Sequence, residues 1–205
     1  MDARELPWTT DELHLFYDPE VLPRGYAWAF PKGDTVNVGW CCDLEYFKEH
    51  RRAIAKRVAP WIVPGLEELP RMRGGYIPAP RDLDRRRLAV GRVLLAGDSA
   101  GVVEQWFYEG IFLTCWSGHL AGRAATGDRP GDYVKEVMRG PRGYVYYAAK
   151  FAEVTYKDPA SMFKMARECI DLMVKAADGD MSCRDFAIRA LLRRVVSSIR
   201  APFKR

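Results

Sequence analysis

A chain of 205 residues, 48% hydrophobic and 29% charged, is long enough for one domain or one and a half with a sizeable core. Its net charge of +5 comes largely from Arg85-Arg86-Arg87 and the segment from Arg184 onward, and no recognition motif accompanies it, which argues against a nucleic-acid partner. No apolar run is long enough to span a bilayer, and the first residues show no charged-then-apolar signal pattern. The five cysteines (Cys41, Cys42, Cys115, Cys169 and Cys183) never fall as C-x-x-C, so no metal site is expected, and scattered thiols fit a reducing cytoplasm.

In chain order, residues 12–17 alternate as a half-buried strand does. Residues 26–30 and 35–40 are two further strands, and Lys32-Gly33-Asp34 between them is a hairpin turn. Residues 44–59 carry apolar positions at helical spacing (Leu44, Phe47, Ile54, Val58), and Pro60 is expected to end that helix. Residues 63–87 are rich in Pro, Gly and Arg and read as loops around one short strand near Gly75-Tyr76-Ile77. The stretch 88–97 reads as a strand with the buried apolar run Val93, Leu94, Leu95 and Ala96.

Residues 111–125 read as a helix with small residues every four positions, at Gly110, Thr114, Gly118 and Gly122. Glycine costs about 1 kcal/mol in a helix interior, so this stripe points either to tight packing on a sheet or to a flat ligand. Beyond Gly127 the pattern is helical, over residues 144–157, 161–177 and 183–200. From Arg184 to Arg205, Phe186, Leu191, Val195, Ile199 and Phe203 interleave at close to helical spacing with arginines and Lys204. Such a basic amphipathic helix is either a solvated surface helix or a peripheral membrane contact.

Gly97-Asp98-Ser99-Ala100-Gly101 admits two chemistries. It matches G-x-S-x-G, the elbow that lifts a hydrolase serine out of a sheet. A serine hydrolase also needs a histidine well downstream and an oxyanion motif. Here His119 is the only later histidine, and Gly74-Gly75 follows Arg73 rather than a histidine, so the esterase reading is set aside.

The second chemistry rests on three segments. Pro23-Arg-Gly-Tyr-Ala-Trp-Ala-Phe-Pro31, Leu95-Ala-Gly-Asp98, and Glu109-Gly-Ile111 with Ser117-Gly118 and Ala124-Ala125 fall in one order over residues 12–128. Together they resemble the geranylgeranyl reductase family of FAD-dependent oxidoreductases. The resemblance implies an α+β chain that forms part of an FAD-binding oxidoreductase fold. Residues 1–87 would be a substrate-side sheet and helix, 88–128 a second FAD-binding segment of strand, turn and helix, and 129–205 a helical C-terminal region. It implies FAD as cofactor, with Gly97, Asp98, Ala100, Gly101, Glu109, Gly110 and Ile111 as cofactor-binding residues. Asp98 would accept hydrogen bonds from ribityl hydroxyls. Tyr26, Trp28 and Phe30 would hold the prenyl-lipid substrate, whose carbon–carbon double bonds are reduced. No catalytic residue is assigned, because Glu109 suits a proton donor and a helix cap equally.

The sequence departs from the family pattern in two places. The strand, G-x-G-x-x-G and helix that open the family and hold the ADP half of FAD have no counterpart here. The chain is therefore expected to be the C-terminal portion of a longer reductase, or a subunit completed by a second chain carrying that half. Second, Gln105 and Tyr108 stand where the family has Pro and Gly. Tyr108 is expected to demand negative φ, and Trp106, Phe107 and Tyr108 to form an aromatic cluster that caps the flavin or fills its space. Alternatives are a related FAD-dependent monooxygenase or a non-catalytic remnant. A halogenase should carry W-x-W-x-I-P, which this sequence lacks. The expected location is cytoplasmic, with peripheral contact at the inner membrane face through the basic tail.

Overall fold

The computed structural model describes residues 12–67, 72–127 and 129–157, with single positions between 160 and 193. Its architecture is α+β. It divides into two units, one built on residues up to Tyr76 and the other from Ile77 onward, and each is described by itself.

The first unit is an antiparallel three-stranded sheet in the order β1 (His14–Phe16), β2 (Tyr26–Lys32), β3 (Thr35–Cys41), followed by α1 (Leu44–Ile62). Lys32 pairs with Thr35, so Gly33-Asp34 is a two-residue turn, and Gly33 supplies the positive φ it requires. The period of two then divides the strands. Ala27, Ala29 and Val36 are buried with Ile54, Val58, Ala59 and Ile62 of α1, while Tyr26, Trp28 and Phe30 take the opposite face. Asp43 caps α1 by accepting the amides of Glu45 and Tyr46. Pro60 does not end the helix, contrary to the sequence expectation. It sits exposed in the last turn, and α1 runs on to Ile62, whose side chain is fully buried in the core.

The expected strand at Gly75-Tyr76-Ile77, where the first unit ends and the second begins in the chain, does not form. The described residues 72–80 carry no strand, Tyr76 is exposed, and Pro78 and Pro80 follow. The expected strand over 88–97 is two short ones, β4 (Ala89–Val90) and β5 (Val93–Leu94), because Gly91 with φ +58° turns the chain between them. Val93 is accordingly 62% exposed rather than buried. A 3-10 turn, Gly97–Ala100, comes next, and α2 (Ile111–Thr126) begins only after a ten-residue connection.

The small-residue stripe on α2 is not packed as expected. A Cβ at Gly118 or Gly122 would meet nothing among the described residues. Two helices follow, α3 (Pro130–Arg139) and α4 (Pro141–Thr155). Pro130 opens α3 at a position where its missing N–H costs nothing. Leu113, Leu120, Tyr133, Val137 and Val145 from these three helices form the core with Leu83, Leu88 and Val102. Arg142 of α4 holds Asp82 through two hydrogen bonds of 2.7 and 2.6 Å, and this guanidinium keeps the Asp82 carboxyl below the usual range.

The described positions between 163 and 175 and between 184 and 193 are helical. Phe186 is buried, but Leu191, Val195, Ile199 and Phe203 of the basic tail lie outside the described residues. Among the described residues no helix is long and apolar enough to cross a membrane.

Candidate functional site

The turn after β5 is shaped by two glycines and one serine. Gly97 and Gly101 have φ of +58° and +70°, left-handed values that glycine reaches without a Cβ penalty. Gly97 also lies against α2, where a Cβ would stand 2.6 Å from Thr114 Oγ1. Its N–H donates to the buried Ser117 hydroxyl at 2.9 Å. Tyr133 of α3 donates its hydroxyl to the Leu95 carbonyl, fixing the chain just before the turn. Between these anchors Asp98 is exposed, and its carboxylate has no hydrogen bond among the described residues.

Asp98 forms part of the rim of a groove of about 350 Å³, toward the small end of ligand sites, which span roughly 300–1,000 Å³. Gly110 and Ile111 at the start of α2, Thr114 and Cys115 one turn on, and Ile77, Val103 and Tyr108 complete it. Three of the seven residues expected at the cofactor (Asp98, Gly110 and Ile111) thus meet at one groove. The other four sit elsewhere. Gly97 packs on Thr114, and Ala100 is buried in the core. Gly101 faces Pro80 and Pro78. Glu109, just before the N-cap Gly110, accepts the Phe112 amide at 2.9 Å and so satisfies one first-turn amide of α2, a helix-capping role.

One residue that sequence reasoning did not single out organises the connection from 104 to 109. Glu104 is buried, and its carboxylate accepts three backbone amides: Trp106 on Oε2 at 2.6 Å, and Phe107 and Glu109 on Oε1 at 2.7 and 2.8 Å. The Glu104 amide closes the ring by donating to the Glu109 carbonyl at 3.1 Å. Burial raises its carboxyl to about 7, against the pull of the three amides toward the anion. Gln105 donates to the Ala79 carbonyl at 2.6 Å, which ties the loop to the segment beside it.

Two expectations about this loop are corrected. Tyr108 keeps the left-handed conformation, with φ +56°, where negative φ was expected. The loop's hydrogen bonds set its backbone, and the side chain lines the groove. Trp106 and Phe107 do pack together, with ring centroids 4.6 Å apart, but the three aromatic residues do not meet at the groove. Trp106 is buried against Phe151 and Phe186, with ring centroids 5.4 and 6.0 Å away, so of the three only Tyr108 lines the groove.

In the first unit, Tyr26, Trp28 and Phe30 form a ladder on one face of β2, with ring centroids 5.9 and 6.2 Å apart. Gly39 lies opposite Trp28 on β3, and a Cβ there would stand 2.3 Å from the indole. The ring therefore lies flat across the neighbouring strand, with its Nε1 donating to Asn37 at 2.8 Å. Trp28 and Phe30 are only half-buried.

Ser99 is not arranged as a nucleophile. Its hydroxyl donates to the Ala96 carbonyl at 2.7 Å, and no histidine bonds to it among the described residues.

No family model matches the sequence. Curated relatives do. The chain is 33% identical over 136 residues to digeranylgeranylglycerophospholipid reductase 3 of Methanosphaera stadtmanae, a match covering 63% of the chain and 33% of that protein. It is 34% identical over 114 residues to geranylgeranyl diphosphate reductase of Synechocystis, covering 54% of the chain and 27% of the relative. These similarities support the geranylgeranyl reductase family for this chain. A third member, the chloroplastic geranylgeranyl diphosphate reductase of Oryza sativa, is 30% identical over 131 residues, or 25% of its length. The chain spans about a quarter to a third of the length of these family members.

Within the matched segment, Ile77, Val103 and Cys115 line the groove without having stood out in the sequence, whereas Thr114 was already marked as part of the small-residue stripe. Cys115 was recoverable in principle, one helical turn beyond Ile111. Ile77 and Val103 arrive from irregular chain, where periodicity carries no signal.

Proposed function

We propose that this chain supplies the ribityl and ring side of a flavin site in a reductase that saturates carbon–carbon double bonds of a prenyl lipid. The reading rests first on Asp98, an exposed carboxylate at the rim of the groove whose acceptor capacity no protein group uses among the described residues. The groove suits such a group in two further ways. Gly110 gives close access, since a Cβ there would stand 3.2 Å from Asp98 Oδ1. The N-terminal end of α2 opens beside it and favours negative charge.

In this reading Asp98 accepts ribityl hydroxyls, and Val103, Ile77 and Ile111 give the ring apolar walls that exclude water. When bound, the flavin supplies the hydride for alkene reduction. The groove is too small for a whole dinucleotide, so the ADP half would be held outside it, by a segment or second chain carrying G-x-G-x-x-G. The unit from Ile77 onward would then be part of an FAD-binding oxidoreductase fold. Trp28 and Phe30 would hold the isoprenoid chain through their half-exposed ring faces, while Tyr26, expected to share that role, is buried and packs beside Trp28. Glu109 is engaged as a helix cap and is not assigned a proton-transfer role. The setting would be cytoplasmic, with the prenyl lipid drawn from the inner membrane face.

Titration of the purified chain with FAD, followed by flavin absorbance, tests the proposal. It should give a weak, saturable spectral change alone and a tighter one with a chain carrying the G-x-G-x-x-G half. No spectral change under either condition would overturn it.

A further inference from the structure

We propose that Glu104 is a positioning residue: its carboxylate imposes the backbone of the 104–109 loop and thereby holds Tyr108, in a conformation tyrosine does not prefer, as one wall of the groove. Three amides of a six-residue stretch converge on one buried carboxylate, two of them on the same oxygen. The first and last residues of the loop are joined through the Glu104 amide and the Glu109 carbonyl. A ring closed in this way leaves little freedom to Tyr108, which lies inside it between the anchored amides of Phe107 and Glu109. Three hydrogen bonds converging on one buried carboxyl are together enough to oppose the strain of a left-handed tyrosine. Tyr108 in turn lines the groove together with Gly110 and Ile111, two and three residues on. The clamp itself does not depend on what the groove binds; only its consequence for a ligand rests on the flavin reading.

The test uses the whole chain and the substitutions Glu104→Gln, Glu104→Ala and Tyr108→Gly, with each change at Glu104 also combined with Tyr108→Gly. Amide hydrogen exchange at residues 106, 107 and 109 reads the clamp without any ligand. In Glu104→Gln the single remaining oxygen can still accept Phe107 and Glu109, whereas Trp106 faces an NH2 group. Protection should therefore fall about tenfold at Trp106 alone. In Glu104→Ala it should fall about tenfold at all three. Riboflavin affinity, read by fluorescence quenching, should drop about tenfold in Glu104→Ala. The same substitution should cost little affinity in the Tyr108→Gly background, because glycine holds a positive φ unaided.

A residue that merely stabilised the core would lower affinity equally in both backgrounds and would not single out Trp106; either result would overturn the proposal. Should the amides respond as expected while riboflavin binds no variant and no parent, the clamp stands and the flavin reading fails.

Discussion

The Gly97 amide and the Ser117 hydroxyl, twenty residues apart in the chain, are joined by a hydrogen bond of 2.9 Å that ties the turn bearing Asp98 to the second turn of α2. Ser117 is fully buried, and its hydroxyl in turn donates a hydrogen bond to the Leu113 carbonyl at 2.8 Å. The aspartate is therefore placed by a helix it does not itself touch through a hydrogen bond. Ser117→Ala would strand the buried Gly97 amide. We expect a loss of about 1–3 kcal/mol in urea denaturation. An unchanged midpoint would mean that the amide finds another acceptor.

Tyr108 carries positive φ without being glycine. Tyr108→Gly is expected to raise stability by up to about 1 kcal/mol, since a left-handed non-glycine residue costs about 1–2 kcal/mol. Tyr108→Ala keeps a Cβ and should give no such gain. Denaturation midpoints of the two variants measured side by side check this, and equal midpoints would show that the loop is unstrained.

Glu104 gives the fold a pH dependence of known sign. Burial raises its folded-state value to about 7 from an ordinary 4.5. The stability it contributes is therefore complete below about pH 4.5 and is lost as pH rises through 7. Measured against Glu104→Gln, which cannot titrate, the parent chain should lose ground by at most about 3 kcal/mol between pH 4.5 and 8. A difference that stays flat over that range would place the carboxyl at an ordinary value.

Much of the first unit was legible because its signals are local. The alternation of residues 26–30 and 35–40 around Gly33-Asp34 fixes both strands and their turn. Pro60 misled because a local rule met a tertiary demand: one more turn of α1 buries Ile62. The stretch 88–97 misled in the opposite sense. Its apolar run suggested a strand covered on both faces, but Gly91 folds it into a two-residue hairpin. At the site, the glycines and Asp98 were visible as a motif. Glu104 was not, since a single acid among Val, Gln and Trp has no period and no spacing partner. Its role depends on three amides that meet only when the loop closes.

Whether Asp98 grips the ribityl chain of a flavin is tested most directly by riboflavin titration of the parent chain and of Asp98→Ala. The parent should show saturable quenching, and the variant a dissociation constant raised about tenfold or more, with no change in its thermal midpoint. Lumiflavin, which lacks the ribityl hydroxyls, should bind both chains alike. Equal riboflavin affinity in the two chains, or no saturable quenching by either, would contradict the assignment of Asp98.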